Sequence, residues 1–259
     1  MKKIISLFLA AVLLTLTLTS CGGGKPDIEE VKPRIIELIE ASYEINDIFF
    51  GDGIDRMDYE AEYDKIIAEY AEKREQAEKK LAEYEGQLNA AKTEQEKTEI
   101  QASIDKTKKD IEKYSNYMFT KEEFVAQYDT DLTYISVKSD KYITINDIKA
   151  AAEEVYSASY LMSIYETMFV GYVEKGQTDM IYARYYDGKD GLMILKDADV
   201  WVTEKRVYDY DSMTIVRPSN SKKITVSIDS HLESQTENLT VRLSFVKQGD
   251  QWYLDSPSY

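Results

Sequence analysis

From Lys222 to Leu254 the chain reads KKITVSIDSHLESQTENLTVRLSFVKQGDQWYL. Ile224, Val226 and Ile228 alternate with polar residues, and Leu239, Val241, Leu243 and Phe245 do the same further on. Period two is the spacing of a strand, whose successive side chains point to opposite faces. The two runs predict long antiparallel strands over 222–230 and 238–246, each with one buried and one wetter face. Gln248-Gly249-Asp250 is a hairpin turn leading into a last short strand, Gln251 to Leu254.

Working upstream, the same alternation with turn signals predicts strands over 205–216, 192–195 and 180–186, with turns at Asp187-Gly188 and Asp190-Gly191. Before them the period changes. Thr144 or Asn146 caps a helix over 147–170, whose broad apolar face includes Ile148, Val155, Tyr156, Leu161, Tyr165 and Phe169, and Gly171 ends it. Leu132 to Val137 reads as a short strand, and Thr120 with Glu123 forms a capping box that opens a helix running to Tyr128. Near the start, Pro33 falls in the first turn of a helix with Ile35, Leu38, Ile39, Tyr43, Ile45, Ile48, Phe49 and Phe50 on its apolar face, stopped by Gly51-Asp52-Gly53. Helices first and a meander afterwards predict an α+β fold, with N-terminal helices packed on a curved antiparallel sheet.

Between these parts, residues 58–118 change to Glu, Lys, Ala and Gln, with one glycine and no proline. Ile67, Tyr70, Ala77, Leu81, Tyr84, Leu88 and Ala91 recur at spacings of three and four through Arg74, a coiled-coil-like heptad seam. The seam breaks after Ala91 and resumes at Ile100, Ile104, Thr107, Ile111, Tyr114 and Met118. Folding back near Glu94 makes the two seams mirror each other and pairs Tyr84 with Ile104 and Tyr70 with Met118. The expectation is an inserted antiparallel helical hairpin over 59–118, turning near 92–96, between an N-terminal helical part at 27–58 and the remainder of the α+β domain at 119–259.

The first residues give an address. Lys2 and Lys3 precede the nearly continuous apolar run from Ile4 to Leu18, which has the form of a signal-peptide core. The run holds about 15 apolar residues, fewer than the roughly 20 a bilayer span needs. It ends in Leu18-Thr19-Ser20-Cys21, which resembles the bacterial lipobox, and Cys21 is the only cysteine in the chain. This predicts a signal peptide at 1–20, a lipid (diacylglycerol and palmitate-type acyl chains) on Cys21, and a tether at 21–26 rich in glycine. The expected location is the extracytoplasmic face of the cell membrane, held by acyl chains that each gain about 0.8 kcal/mol per buried CH₂.

Removing residues 1–20 from the 259 leaves 239, and losing Lys2 and Lys3 takes the formal charge from −16 to −18. So acidic a body is repelled by phosphate backbones, which argues against nucleic-acid binding. With its single cysteine lipidated, the exported chain holds no disulfide and depends on an ordinary core.

No catalytic constellation is visible. The single histidine, His231, falls on a predicted turn, and no Gly-x-Ser-x-Gly elbow, His-Glu-x-x-His or phosphate loop is present. Asp52, Asp55, Asp58 and Glu60 miss the ligand order of a calcium loop. No cofactor or metal is expected. The chain has 21 tyrosines; Tyr185, Tyr208, Trp201 and Trp252 are the residues that would line a sugar or peptide groove, although strand aromatics also serve packing alone.

The helix-rich start, Thr144-Ile145-Asn146-Asp147-Ile148-Lys149, and the ending Gly249-Asp250-Gln251-Trp252-Tyr253-Leu254-Asp255-Ser256-Pro257 resemble the nuclear-transport-factor-two-like (cystatin-like) domains of secreted Firmicutes proteins. The layout is also similar to IseA-type inhibitors of cell-wall D,L-endopeptidases. The resemblance covers 33–50 and about 124–259, with the hairpin as a departure, and carries over no site residue. It implies a non-catalytic binding module, not an enzyme, whose partner is a cell-wall hydrolase or peptidoglycan. A small-ligand-binding or enzymatic cone-shaped domain and a structural spacer stand as alternatives, and the oligomeric state is left open.

Overall fold

Asp27 opens the first helix, α1 (Ile28–Phe50), by accepting the Glu29 N–H at 3.1 Å, which puts Pro33 in the second turn and not the first. Proline inside a helix removes one N–H. Here the loss falls on the Glu29 carbonyl, at an exposed residue that water can satisfy. The computed structural model describes residues 24–173 and 180–259. The signal peptide, Cys21 and the first two tether glycines lie outside the described residues. Among the described residues no helix is long and apolar enough to cross a membrane.

The elements after α1 are α2 (Tyr59–Ala90), α3 (Glu94–Ser115), α4 (Lys121–Tyr128), β1 (Tyr134–Ser136), α5 (Ile145–Glu153) and α6 (Ala158–Phe169). They are followed by β2 (Tyr172–Val173), β3 (Met180–Ile181), β4 (Tyr185–Gly188), β5 (Gly191–Leu195), β6 (Arg206–Val216), β7 (Lys223–Leu232), β8 (Leu239–Gln248) and β9 (Gln251–Leu254). The protein is mixed α+β with antiparallel sheets. It divides into two compact units: one holds 24–53, 148–167 and 200–259, the other 54–147 and 168–199.

The first unit is built on the four-stranded sheet β6-β7-β8-β9, with α1 against β6 and β9. The register pairs Ile224 with Phe245 and Val226 with Leu243, so the alternating residues converge on one buried face. Leu239 is the exception at 61 % exposed: the apolar stripe of β8 runs past the end of the core. The final hairpin turns on Gly249, whose φ of 61° is left-handed and suits glycine.

The helix expected over 147–170 is two helices. Residues 154–157 leave the helix because Val155 and Ser157 pair with β9: Leu254 N–H donates to Val155 O (3.0 Å) and Ser157 N–H to Leu254 O (2.8 Å). Ser157 then caps α6 by accepting the Tyr160 N–H at 3.2 Å, and its own hydroxyl donates to Asp255. Periodicity could not show this, because the apolar face continues in phase across the break.

In the second unit α2 and α3 form the expected antiparallel hairpin, with the turn at 91–93. Thr93 and Glu96 cap α3 reciprocally, and Glu96 also accepts the Lys92 N–H at 3.0 Å. The fold-back therefore centres on Lys92, and the predicted pairing shifts by one seam step. Tyr70 meets Tyr114 (5.8 Å between rings), while Met118 is 82 % exposed. α4 packs back on the base of α2, with Phe124 buried 5.7 Å from the Tyr63 ring and Lys121 paired to Asp64 at 2.7 Å.

The same unit holds the three-stranded sheet β1-β5-β4 and the β2-β3 ribbon. The β4-β5 turn is Lys189-Asp190, closed by Gly188 opposite Gly191; the two Asp-Gly pairs flank it and do not form separate turns.

Phe245 is fully buried in the first unit's sheet. Phe245→Ala is expected to cost about 3–5 kcal/mol, read as a lower midpoint in urea unfolding followed by Trp252 fluorescence.

Candidate functional site

Tyr43, Asn46 and Asp47 sit three and four residues apart and so share one face of α1 near its C-terminal end. The helix stops against its own side chain. Gly51 N–H bonds to the carbonyls of Asn46 and Asp47 (3.2 and 2.9 Å), and Asp52 N–H donates to Asp47 Oδ1 at 3.2 Å. A Cβ at Gly51 would lie 2.2 Å from that carboxylate oxygen and 2.9 Å from Asp47 Cα, so only glycine fits.

The chain returns to this end through residues 200–206. Trp201 and Val202 N–H groups both donate to Phe50 O, at 2.7 and 2.8 Å, satisfying a carbonyl the helix leaves without an internal partner. The Phe50 ring stacks on Trp201 (6.0 Å, 22°) and leans on Tyr259 (4.8 Å, 43°).

Beneath lies a buried polar network centred on Ser258. Its hydroxyl is 2.7 Å from that of Ser42, 2.9 Å from Asn46 Nδ2 and 3.0 Å from the Tyr156 hydroxyl. Tyr156 donates to Asn46 Oδ1, Ser42 to Ile39 O, and Tyr208 to Ser258 O at 2.8 Å. Among the described residues no buried side-chain nitrogen or oxygen lacks a partner. Burial outweighs these bonds in setting the Tyr156 phenol, which is pushed up to about 12.

Between the helix face and the 200–206 segment is an open cleft of about 510 Å³, within the usual size of a small-ligand site. Tyr43, Asn46, Asp47 and Asp52 form one side, and Val200, Val202 and Lys205 belong to the other. Tyr43 donates to Arg206 O at 2.8 Å, and the Lys205 ammonium lies 3.9 Å from the centre of the Tyr43 ring. Burial, and then the Glu40 charge, push the Tyr43 phenol up to about 12, although a hydrogen bond with Tyr210 acts the other way. The other charged groups are engaged as well: Glu204 accepts from the Ser234 N–H and hydroxyl, and Arg206 Nη1 lies 3.2 Å from Ser230 Oγ.

The four aromatic residues singled out from sequence do not form a groove. Tyr208 and Trp252 are 7 % and 8 % exposed, facing into the first unit because strand alternation turns them inward. Tyr185 is fully buried in the second unit, where its hydroxyl accepts the Ile54 N–H at 3.2 Å. Trp201, 61 % exposed, falls between the wall residues Val200 and Val202 in the chain but is not itself part of the lining.

His231 lies within β7 and not on a turn, its Nδ1 2.9 Å from Asn238 Oδ1. Asp58 caps α2 by accepting the Ala61 N–H. Among the described residues no group of three or more His, Cys, Asp or Glu is placed to hold a metal. Sequence reading missed Tyr43, Lys205 and Tyr259 as site residues. The helical spacing of Tyr43, Asn46 and Asp47 was visible, but nothing local indicates that residues 200–206 return to that face.

No protein-family model matches the chain, and no curated protein matches it.

The buried phenol gives a pH test. Tyr156 ionises near 10 when unfolded and about 12 when folded, so ionisation favours the unfolded chain. Its contribution is fully present below pH 10 and is lost as pH rises toward 12. Tyr156→Phe should lose about 1–3 kcal/mol at pH 8 by leaving Asn46 and Ser258 short of a partner. In urea titrations at pH 8 to 12 its stability should then fall less steeply than that of the wild type.

Proposed function

We propose that this protein is a bacterial lipoprotein, held outside the cytoplasmic membrane by a lipid on Cys21, whose anchored part is a non-catalytic binding module. The observation that carries the reading is the single cysteine placed directly after Leu18-Thr19-Ser20, at the end of an apolar run of signal-peptide length. The ligand-binding part of the reading is supported by the cleft at the end of α1. Its lining combines aromatic faces, both signs of charge and an amide, which suits recognition. The chain's one histidine is bonded to Asn238 in β7 and is not among the residues of that lining, so the side chain best suited to proton transfer at neutral pH has no part there.

The layout also suits an anchored binder. α1 has 23 residues, so its length of roughly 34 Å separates the tethered start of the helix from the cleft at its far end. A ligand would be met away from the lipid. The partner we favour is a component of the cell wall, either peptidoglycan or a wall hydrolase, in keeping with the extracytoplasmic address.

Metabolic labelling with radioactive palmitate tests the anchor. Wild-type protein should take up label and yield a mature N-terminus at Cys21 carrying diacylglycerol by mass spectrometry, and Cys21→Ala should do neither. Equal labelling of both would overturn the proposal.

A further inference from the structure

We infer that the cleft is a site for a peptide segment bearing a primary amine on an aliphatic stem, which enters by displacing the Lys205 ammonium from the face of Tyr43. The inference rests on the reading of the cleft as a ligand site and names the ligand class.

The Lys205 ammonium lies 3.9 Å from the Tyr43 ring centre, well inside the distance at which a ring attracts a cation. The structure therefore contains an ammonium seat in the cleft wall, already filled by a primary amine on a four-carbon stem. Lys205 is itself exposed, so its head can return to water at little cost when another ammonium takes the ring.

The surroundings favour positive charge at that place. The cleft lies at the C-terminal end of α1, the negative pole of the helix, and the last turn holds no basic residue. Asp47 and Asp52 line the same side of the cleft as Tyr43. Arg206, half-buried at the cleft, adds a donor for a carbonyl oxygen, which narrows the class from a free amine to a segment of peptide. A volume of about 510 Å³ accommodates a lysine-like side chain with its flanking peptide units.

The test uses the mature lipoprotein in detergent micelles, with the peptide Ala-Ala-Lys-Ala-Ala and its uncharged counterpart carrying norleucine in place of lysine. Binding is followed by calorimetry and by fluorescence, in which Trp201, next in the chain to the wall residues Val200 and Val202, is the exposed reporter and Trp252 is buried. Saturable binding of the lysine peptide, at least tenfold tighter than that of the norleucine peptide, is expected. Lys205→Met, which keeps the stem and removes the ammonium, should tighten the lysine peptide severalfold. Tyr43→Phe should retain binding through its ring, and Tyr43→Leu, with an unchanged circular dichroism spectrum, should lose it. Equal binding of the two peptides would overturn the amine assignment while leaving a ligand site in place. Weaker binding by Lys205→Met would overturn the displacement step, and binding of neither peptide would overturn the assignment and the ligand reading of the cleft together.

Discussion

A hydroxyl taken out of water must find partners, and the Ser258 hydroxyl, 1 % exposed, finds three on two other parts of the chain. Leaving such a group unpaired costs about 1–3 kcal/mol, so the network tolerates few arrangements. Ser42 and Asn46 must lie on the inner face of α1, Tyr156 must leave its helix to reach Asn46, and the last residues must run beside both. The break at 154–157, opened by the pairing with β9, lets Tyr156 meet this demand, and the same run of last residues places Tyr259 against Phe50. The cleft opens over the same stretch of α1 and shares Asn46 and Ser258 with the network, so its Tyr43 and Asp47 wall stands beside the bonds that fix the helix.

The other wall depends on a single carbonyl. Phe50 O receives two N–H donors from consecutive residues of the returning segment, which holds residues 201 and 202 at the end of the helix. Two short constraints, one buried and polar, one at a helix terminus, therefore define the space between them. Within it the charged side chains are tied to neighbours, while the ring of Tyr43 offers a face that a cation already covers. Such a surface can recognise charge and shape.

The hairpin of the second unit obeys simpler rules. Its exposed ion pairs, such as Lys79 with Glu75 at 2.7 Å, are open to water and each contribute little. Buried seam residues are few: Ala77, Ile104 and Thr107. The reciprocal cap of Thr93 and Glu96 sets where α3 begins, and hence which seam residues face each other. The Thr-x-x-Glu signal was present in the sequence and locates the turn two residues earlier than symmetry of the seams alone suggests.

Local physics made much of this protein legible from its sequence. Period two over 224–228 and 239–245 specified the long strands, Thr120 with Glu123 the start of α4, Gly249 the last turn, and the double seam the hairpin, because each depends on neighbours within a few residues. The sequence likewise carries the lipobox-like stretch. Tertiary structure alone decided the rest. Tyr185, Tyr208 and Trp252 became core because strand alternation met a second layer, and the apolar face from Ile148 to Phe169 was cut in two because β9 supplied hydrogen bonds that outweighed helical continuity. Tyr43 and Lys205, 162 residues apart in number, met because the Phe50 carbonyl and the Ser258 hydroxyl needed partners that only distant segments could bring.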